Sequence, residues 1–66
     1  MKNFGEKLKA LRQEQNLTQE QLAKKTGVSK AVISFWENDV NEPKASYIKI
    51  LAQTFDVTTD YLLSDD

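Results

Sequence analysis

The 66-residue chain contains no cysteine and no histidine. Disulfide frameworks, zinc sites of the usual kinds and imidazole catalysis are therefore excluded, and the fold must stand on packing alone. No apolar run approaches the roughly 18 residues of a membrane span, and Met1-Lys2-Asn3 leads into an amphipathic stretch rather than a signal peptide. The expected compartment is the cytoplasm, with which the missing cysteines agree. No internal repeat or low-complexity segment occurs. No carboxylate pair is placed by spacing for acid and base work, and nothing supplies a nucleophile with its base, so the chain is expected not to be an enzyme. No cofactor, metal or small-molecule ligand is implied.

What is present reads as a globular chain. With 39% hydrophobic and 29% charged residues, the composition is that of a soluble globular protein rather than a disordered one, and the length suits one small domain over residues 1–66. The net charge of −1 argues mildly against nucleic acid. Its distribution argues the other way. Residues 1–38 carry Lys2, Lys7, Lys9, Arg12, Lys24, Lys25 and Lys30 against Glu6, Glu14, Glu20 and Glu37, whereas residues 39–66 carry Lys44 and Lys49 against six carboxylates. The first part could face phosphate while the second faces away.

The chain is organised around Leu17 to Asn38, two short helices joined at Gly27. Thr18 with Gln21 three residues on is a capping box that starts a helix over Gln19 to Thr26. Gly27 stops it, because a residue without Cβ takes the left-handed conformation at little cost. Ser29 can cap the next helix, Lys30 to Glu37. At about 100° per residue this helix splits into a core side of Ile33, Trp36 and, less squarely, Val32, and an opposite side of Lys30, Ala31, Ser34 and Phe35. A short helix held by one face with the other free is what a major groove accepts.

The flanking segments supply the rest of an all-α core. Phe4, Leu8 and Leu11 form one stripe on a helix from about Asn3 to Gln15, and Asn16 can turn the chain so that Leu17 tucks back beneath it. Arg12 lies beside that stripe. Leu22, Ala23 and Val28 complete the middle unit's share of the core, with Ala23 small where two helices cross. Asn38 to Pro43 is a loop by composition, Pro43 forbidding helix just before it. Ile48, Leu51, Ala52 and Phe55 define a fourth helix from Ala45 or Ser46 to Phe55. Thr58 can cap a fifth over Thr59 to Leu63, with Leu62 or Leu63 returning to the core, and Ser64-Asp65-Asp66 is expected to fray.

This pattern resembles the helix-turn-helix of the phage repressor and Cro family. The residues that carry the likeness are the Thr18-Gln19 pair, Leu22-Ala23, Gly27, Val28-Ser29, Ile33-Ser34 and Trp36-Glu37, continuing through Glu42-Pro43 to Phe55, Val57 and Asp60-Tyr61-Leu62-Leu63. The resemblance implies a five-helix lambda-repressor-like DNA-binding domain. It further implies a sequence-specific regulator of transcription, a repressor, that binds double-stranded DNA as a homodimer on a palindromic operator with half-sites about one helical turn apart.

Residue by residue, the resemblance places Lys30, Ala31, Ser34 and Phe35 at base-contacting positions. Lys30 can donate to guanine O6 or N7, or meet a phosphate. Ala31 can touch a thymine methyl, Ser34 can serve several base edges, and Phe35 offers apolar contact to a thymine methyl or sugar, or else packs in the core or against a partner. Gln19, beside the free N–H groups at its helix start, is expected to hold phosphate, and Asn38 and Lys44 follow from the family pattern. The resemblance also pairs Arg12 with Glu37 in a clamp; the alternative is a surface arginine near DNA. Family members often carry Gly where Asp39 stands. Positive φ then falls to Asn38 or Asp39, and a carboxylate stands where a backbone contact to phosphate is implied. The rival reading is a protein-interaction module on the same fold, antitoxin-like or antirepressor-type, that uses exposed Phe35 to bind protein.

Overall fold

The computed structural model describes residues 3–64, which form five helices: α1 (Phe4–Glu14), α2 (Gln19–Thr26), α3 (Lys30–Glu37), α4 (Ala45–Phe55) and α5 (Thr59–Leu63). Each start has a local cause. Thr18 closes both halves of its capping box, its Oγ accepting from Gln21 N–H at 3.0 Å while its own N–H donates to Gln21 Oε1 at 2.8 Å. Ser29 caps α3 through Val32 N–H, and Thr58 caps α5 through Tyr61 N–H. These hydroxyls satisfy backbone donors that the first turn leaves without partners.

The helix ends repeat one device. Asn16, Gly27, Asp39 and Asp56 all have positive φ and follow the ends of α1 to α4. The next residue reaches back with its N–H, Leu17 to Arg12, Val28 to Ala23, Val40 to Phe35 and Val57 to Ala52. That residue is apolar each time, as the Schellman end prefers. Leu17, Val28 and Val57 pack against the core. Val40 does not, and is 65% exposed.

The core gathers Phe4, Leu8 and Leu11 of α1, Leu22 and Ala23 of α2, Ile33 and Trp36 of α3, Ile48, Leu51, Ala52 and Phe55 of α4, and Leu62 of α5. α2 packs on α3, α1 on α3 and α5, and α4 on α2 and α5. Trp36 meets the Tyr47 ring at 5.6 Å between centroids, tilted by 51°, an arrangement aromatic pairs prefer. Every periodicity read from the sequence points the expected way. Leu62 is the α5 residue that enters the core, while Leu63 is 47% exposed.

Two expectations need adjustment. α1 is one residue shorter at each end, with Asn3 and Gln15 serving as its caps. Ser64 is held rather than frayed, because Lys7 Nζ donates to its Oγ at 2.8 Å and its carbonyl at 3.1 Å, as well as to Tyr61 O at 2.9 Å. A lysine at those carbonyls suits the negative end of α5. Asp65 and Asp66 lie outside the described residues.

Candidate nucleic-acid interface

α3 is held by one side and open on the other. Ile33 and Trp36 are buried and Val32 is half-buried, while Lys30, Ala31 and Phe35 are exposed and Ser34 is partly so. Phe35, at 44% exposure, does not belong to the core. Residues four apart lie above one another on a helix, so the open side carries two rows. Lys30, Ser34 and Asn38 make a polar row. Ala31 and Phe35 make an apolar one. Within the polar row, Asn38 Nδ2 donates to the Ser34 carbonyl at 2.9 Å and approaches Ser34 Oγ at 3.4 Å.

The aim of α3 is set at its last residue. Arg12 Nε donates to Glu37 Oε2 at 2.6 Å and Nη2 to Oε1 at 3.2 Å, while Arg12 Nη1 donates to Leu17 O at 2.8 Å. Gln19 Nε2 adds a third bond to the carboxylate, at 3.1 Å from Oε1. The Arg12 and Glu37 side chains are only 12% and 3% exposed. A carboxylate so buried is tolerable only with a paired cation and satisfied lone pairs, and this one has both. Gln19 is thus partly committed inward. The Gln19 and Glu20 backbone N–H groups at the start of α2 have no partner among the described residues, as the first turn of a helix requires.

Asp39 corrects an expectation. Although the residue is exposed, one carboxylate oxygen is turned inward and accepts from Gly5 N–H at 3.0 Å, capping α1 across 34 residues where Asn3 supplies no side-chain cap. Asp39 is also the residue with positive φ, at 56°. Gly5 lies so close to α3 that a Cβ there would overlap the Glu37 carbonyl oxygen. Nothing in the hydrophobic pattern marks Gly5 or the Asp39 cap; the only sequence signal is a lone glycine in an otherwise good helix.

Hydrogen bonds therefore bring Arg12, Glu37 and Gln19 together, and separately Ser34 with Asn38. Lys30 and Lys44 are exposed and make no side-chain bond among the described residues, and Lys44 takes the N-cap position of α4. The charge asymmetry of the sequence is softened, since Arg12 is neutralised by Glu37 and Lys7 is turned to α5. Among the described residues no group of three or more carboxylates is gathered as a metal site would need, and no helix is long and apolar enough to cross a membrane.

Two capped helices meeting at a left-handed Gly27, the second with a buried face and an open one, define a helix-turn-helix domain of the five-helix repressor type. The Helix-turn-helix family model matches residues 8–62, and the chain belongs to that family. It is 46% identical over 63 residues to the HTH-type transcriptional activator BcrR of Enterococcus faecalis, covering 96% of this chain and 31% of that protein. It is 45% identical over 64 residues to the HTH-type transcriptional repressor RghR of Bacillus subtilis, covering 96% of this chain and 47% of that one. The crystal structure of the P22 c2 repressor in complex with synthetic operator 9T superimposes with a TM-score of 0.91 at 33% identity, over 100% of both chains. The chain thus spans less than half the length of these two curated relatives.

Proposed function

We propose that this chain is the sequence-reading domain of a transcriptional regulator, binding duplex DNA with α3 in the major groove. The observation that carries the reading is the open side of α3, where a lysine, a hydroxyl, an amide and an aromatic stand in two rows on a helix whose other side is buried. Lys30, Ala31, Ser34 and Phe35 meet base edges and thymine methyls. The free N–H groups at the start of α2, with the remaining N–H of Gln19, hold a phosphate. Lys44 supplies a second phosphate contact as a point charge. Likeness to a repressor crystallised on its operator supports the same docking here.

The chain measures 26 × 24 × 21 Å. Two copies side by side can therefore present their reading helices about 34 Å apart, one turn of the duplex, which favours a homodimer on an inverted repeat. A domain that occupies its operator blocks transcription by binding alone, so repression is the proposed role, in the cytoplasm.

Selection of bound duplexes from a random pool tests this, with the winner titrated against a scramble at several salt concentrations. An enriched inverted repeat whose log K falls with log salt is the expected result. If neither the chain nor a tandem-linked dimer enriches any duplex, the DNA reading fails and exposed Phe35 and Val40 pass to a protein partner.

A further inference from the structure

The family pattern gives Asn38 to a phosphate, but its hydrogen bonds suit a different task. Ser34 O is a carbonyl oxygen and can only accept, so the carboxamide atom 2.9 Å from it must be the Asn38 nitrogen. The amide is thereby oriented, Nδ2 toward the helix and Oδ1, on an exposed residue, without a partner among the described residues. A phosphate offers only acceptors, and an amide that turns its oxygen outward is the wrong group to meet one. The same Nδ2 lies 3.4 Å from Ser34 Oγ. Accepting there, the hydroxyl has its own hydrogen left to donate away from the helix.

We infer that Asn38 orients Ser34 and reads a base with it, the two presenting a hydroxyl donor beside an amide acceptor that together complement the adenine edge in the major groove. Adenine shows an acceptor at N7 next to a donor at N6. Guanine shows two acceptors, the second of which would meet Asn38 Oδ1 with repulsion. Cytosine and thymine each match one half of the pair only. Ser34 and Asn38 stand four residues apart in one row, so both can address the same base pair. The inference rests on the proposed DNA reading and deepens it.

The test uses the 66-residue chain and the duplex enriched from the random pool. Each adenine of a half-site is replaced in turn by deoxypurine riboside, which lacks the 6-amino group, or by 7-deazaadenine, which lacks N7. At one position both replacements are expected to weaken the unaltered chain by about tenfold. Asn38→Ala should show at least that loss on the natural duplex and become insensitive to both analogues at that position, because it removes the amide acceptor and also frees the Ser34 hydroxyl from its orienting bond. Ser34→Ala should become insensitive to N7, and the double variant should bind about as weakly as the worse single one. Because the analogues act on the unaltered chain, a variant that folds poorly does not remove the test. The inference is overturned if no adenine responds to both analogues. It is also overturned if Asn38→Ala weakens every duplex by one factor, additively with Ser34→Ala, which is the mark of a phosphate contact. An enriched duplex with either of these results would leave the DNA reading standing, whereas no enriched duplex would remove both.

Discussion

Arg12 and Glu37 close on each other through two hydrogen bonds, 2.6 and 3.2 Å long, with both side chains nearly withdrawn from water. Glu37 is the last residue of α3, Arg12 lies in the last turn of α1, and Gln19 opens α2. One carboxylate therefore ties three helices together at the end of the helix whose other side is open. The backbone of the same residue presses on Gly5.

Arg12→Ala should strand that carboxylate and lower stability by about 3–5 kcal/mol, a large share of what so small a domain possesses. Urea unfolding followed by circular dichroism measures it. Replacing both partners by apolar residues, Arg12→Met with Glu37→Leu, should recover most of the loss, since the stranded charge rather than the lost attraction carries the penalty. A single-variant loss below about 1 kcal/mol would mark the pair as an ordinary solvated one.

The two glycines should respond differently to alanine. Gly27 has φ 76° and open space where a Cβ would go, so Gly27→Ala carries backbone strain alone, about 1 kcal/mol, and Gly27→Asn less. Gly5 sits in ordinary helix, where alanine is favoured by up to about 1 kcal/mol, yet its Cβ would overlap the Glu37 carbonyl. Overpacking against backbone should outweigh that gain and leave a net loss of about 1–3 kcal/mol. Thermal melts of the three variants decide it, and a Gly5→Ala variant as stable as the parent would mean that α1 and α3 separate freely.

Asp39 and Asp56 share a backbone conformation, with φ of 56° and 55°, but only Asp39 caps another helix. Asp56→Gly should be neutral or stabilising, because glycine relieves left-handed strain. Asp39→Gly gains the same relief and loses the bond to Gly5 N–H, a cap of about 0.5–2 kcal/mol. The difference between the two variants in denaturant midpoint measures that cap directly. Equal effects would show that it contributes nothing.

What could be read in advance follows a physical division. The helices were legible because periodicity, the Thr18, Ser29 and Thr58 caps and the stops at Asn16 and Gly27 are local signals that all agree. The open side of α3 was legible because Ile33 and Trp36 leave it only one orientation. Contacts between distant residues were not, except Arg12 with Glu37, which the resemblance rather than any spacing implied. Gly5 against Glu37, Asp39 across to α1, Gln19 turned to Glu37 and Lys7 holding Ser64 depend on how helices are placed in space, and neither spacing nor composition encodes that. Asn38 shows the cost, since its polar side chain gave no hint that it would fold back onto Ser34.

The sharpest check on the interface separates residues that position the duplex from those that read it. Lys44→Ala removes a cation from the proposed backbone contact, so affinity should fall by a similar factor on every duplex and the slope of log K against log salt should shrink by about one. Gln19→Ala should likewise weaken all sequences, with an added small loss of stability from the bond to Glu37. Phe35→Ala should act otherwise. The ring is an exposed apolar surface in the row with Ala31, and the only apolar group a base edge offers in the major groove is the thymine methyl. Affinity for the selected duplex should therefore fall while binding to the scramble stays nearly constant, and the salt slope should not move. Replacing one thymine by deoxyuridine should reproduce the loss in the parent chain and have no further effect on the variant. If Phe35→Ala instead lowers binding to every duplex alike, the aromatic does not read sequence, and the apolar row belongs to a surface that meets something other than bases.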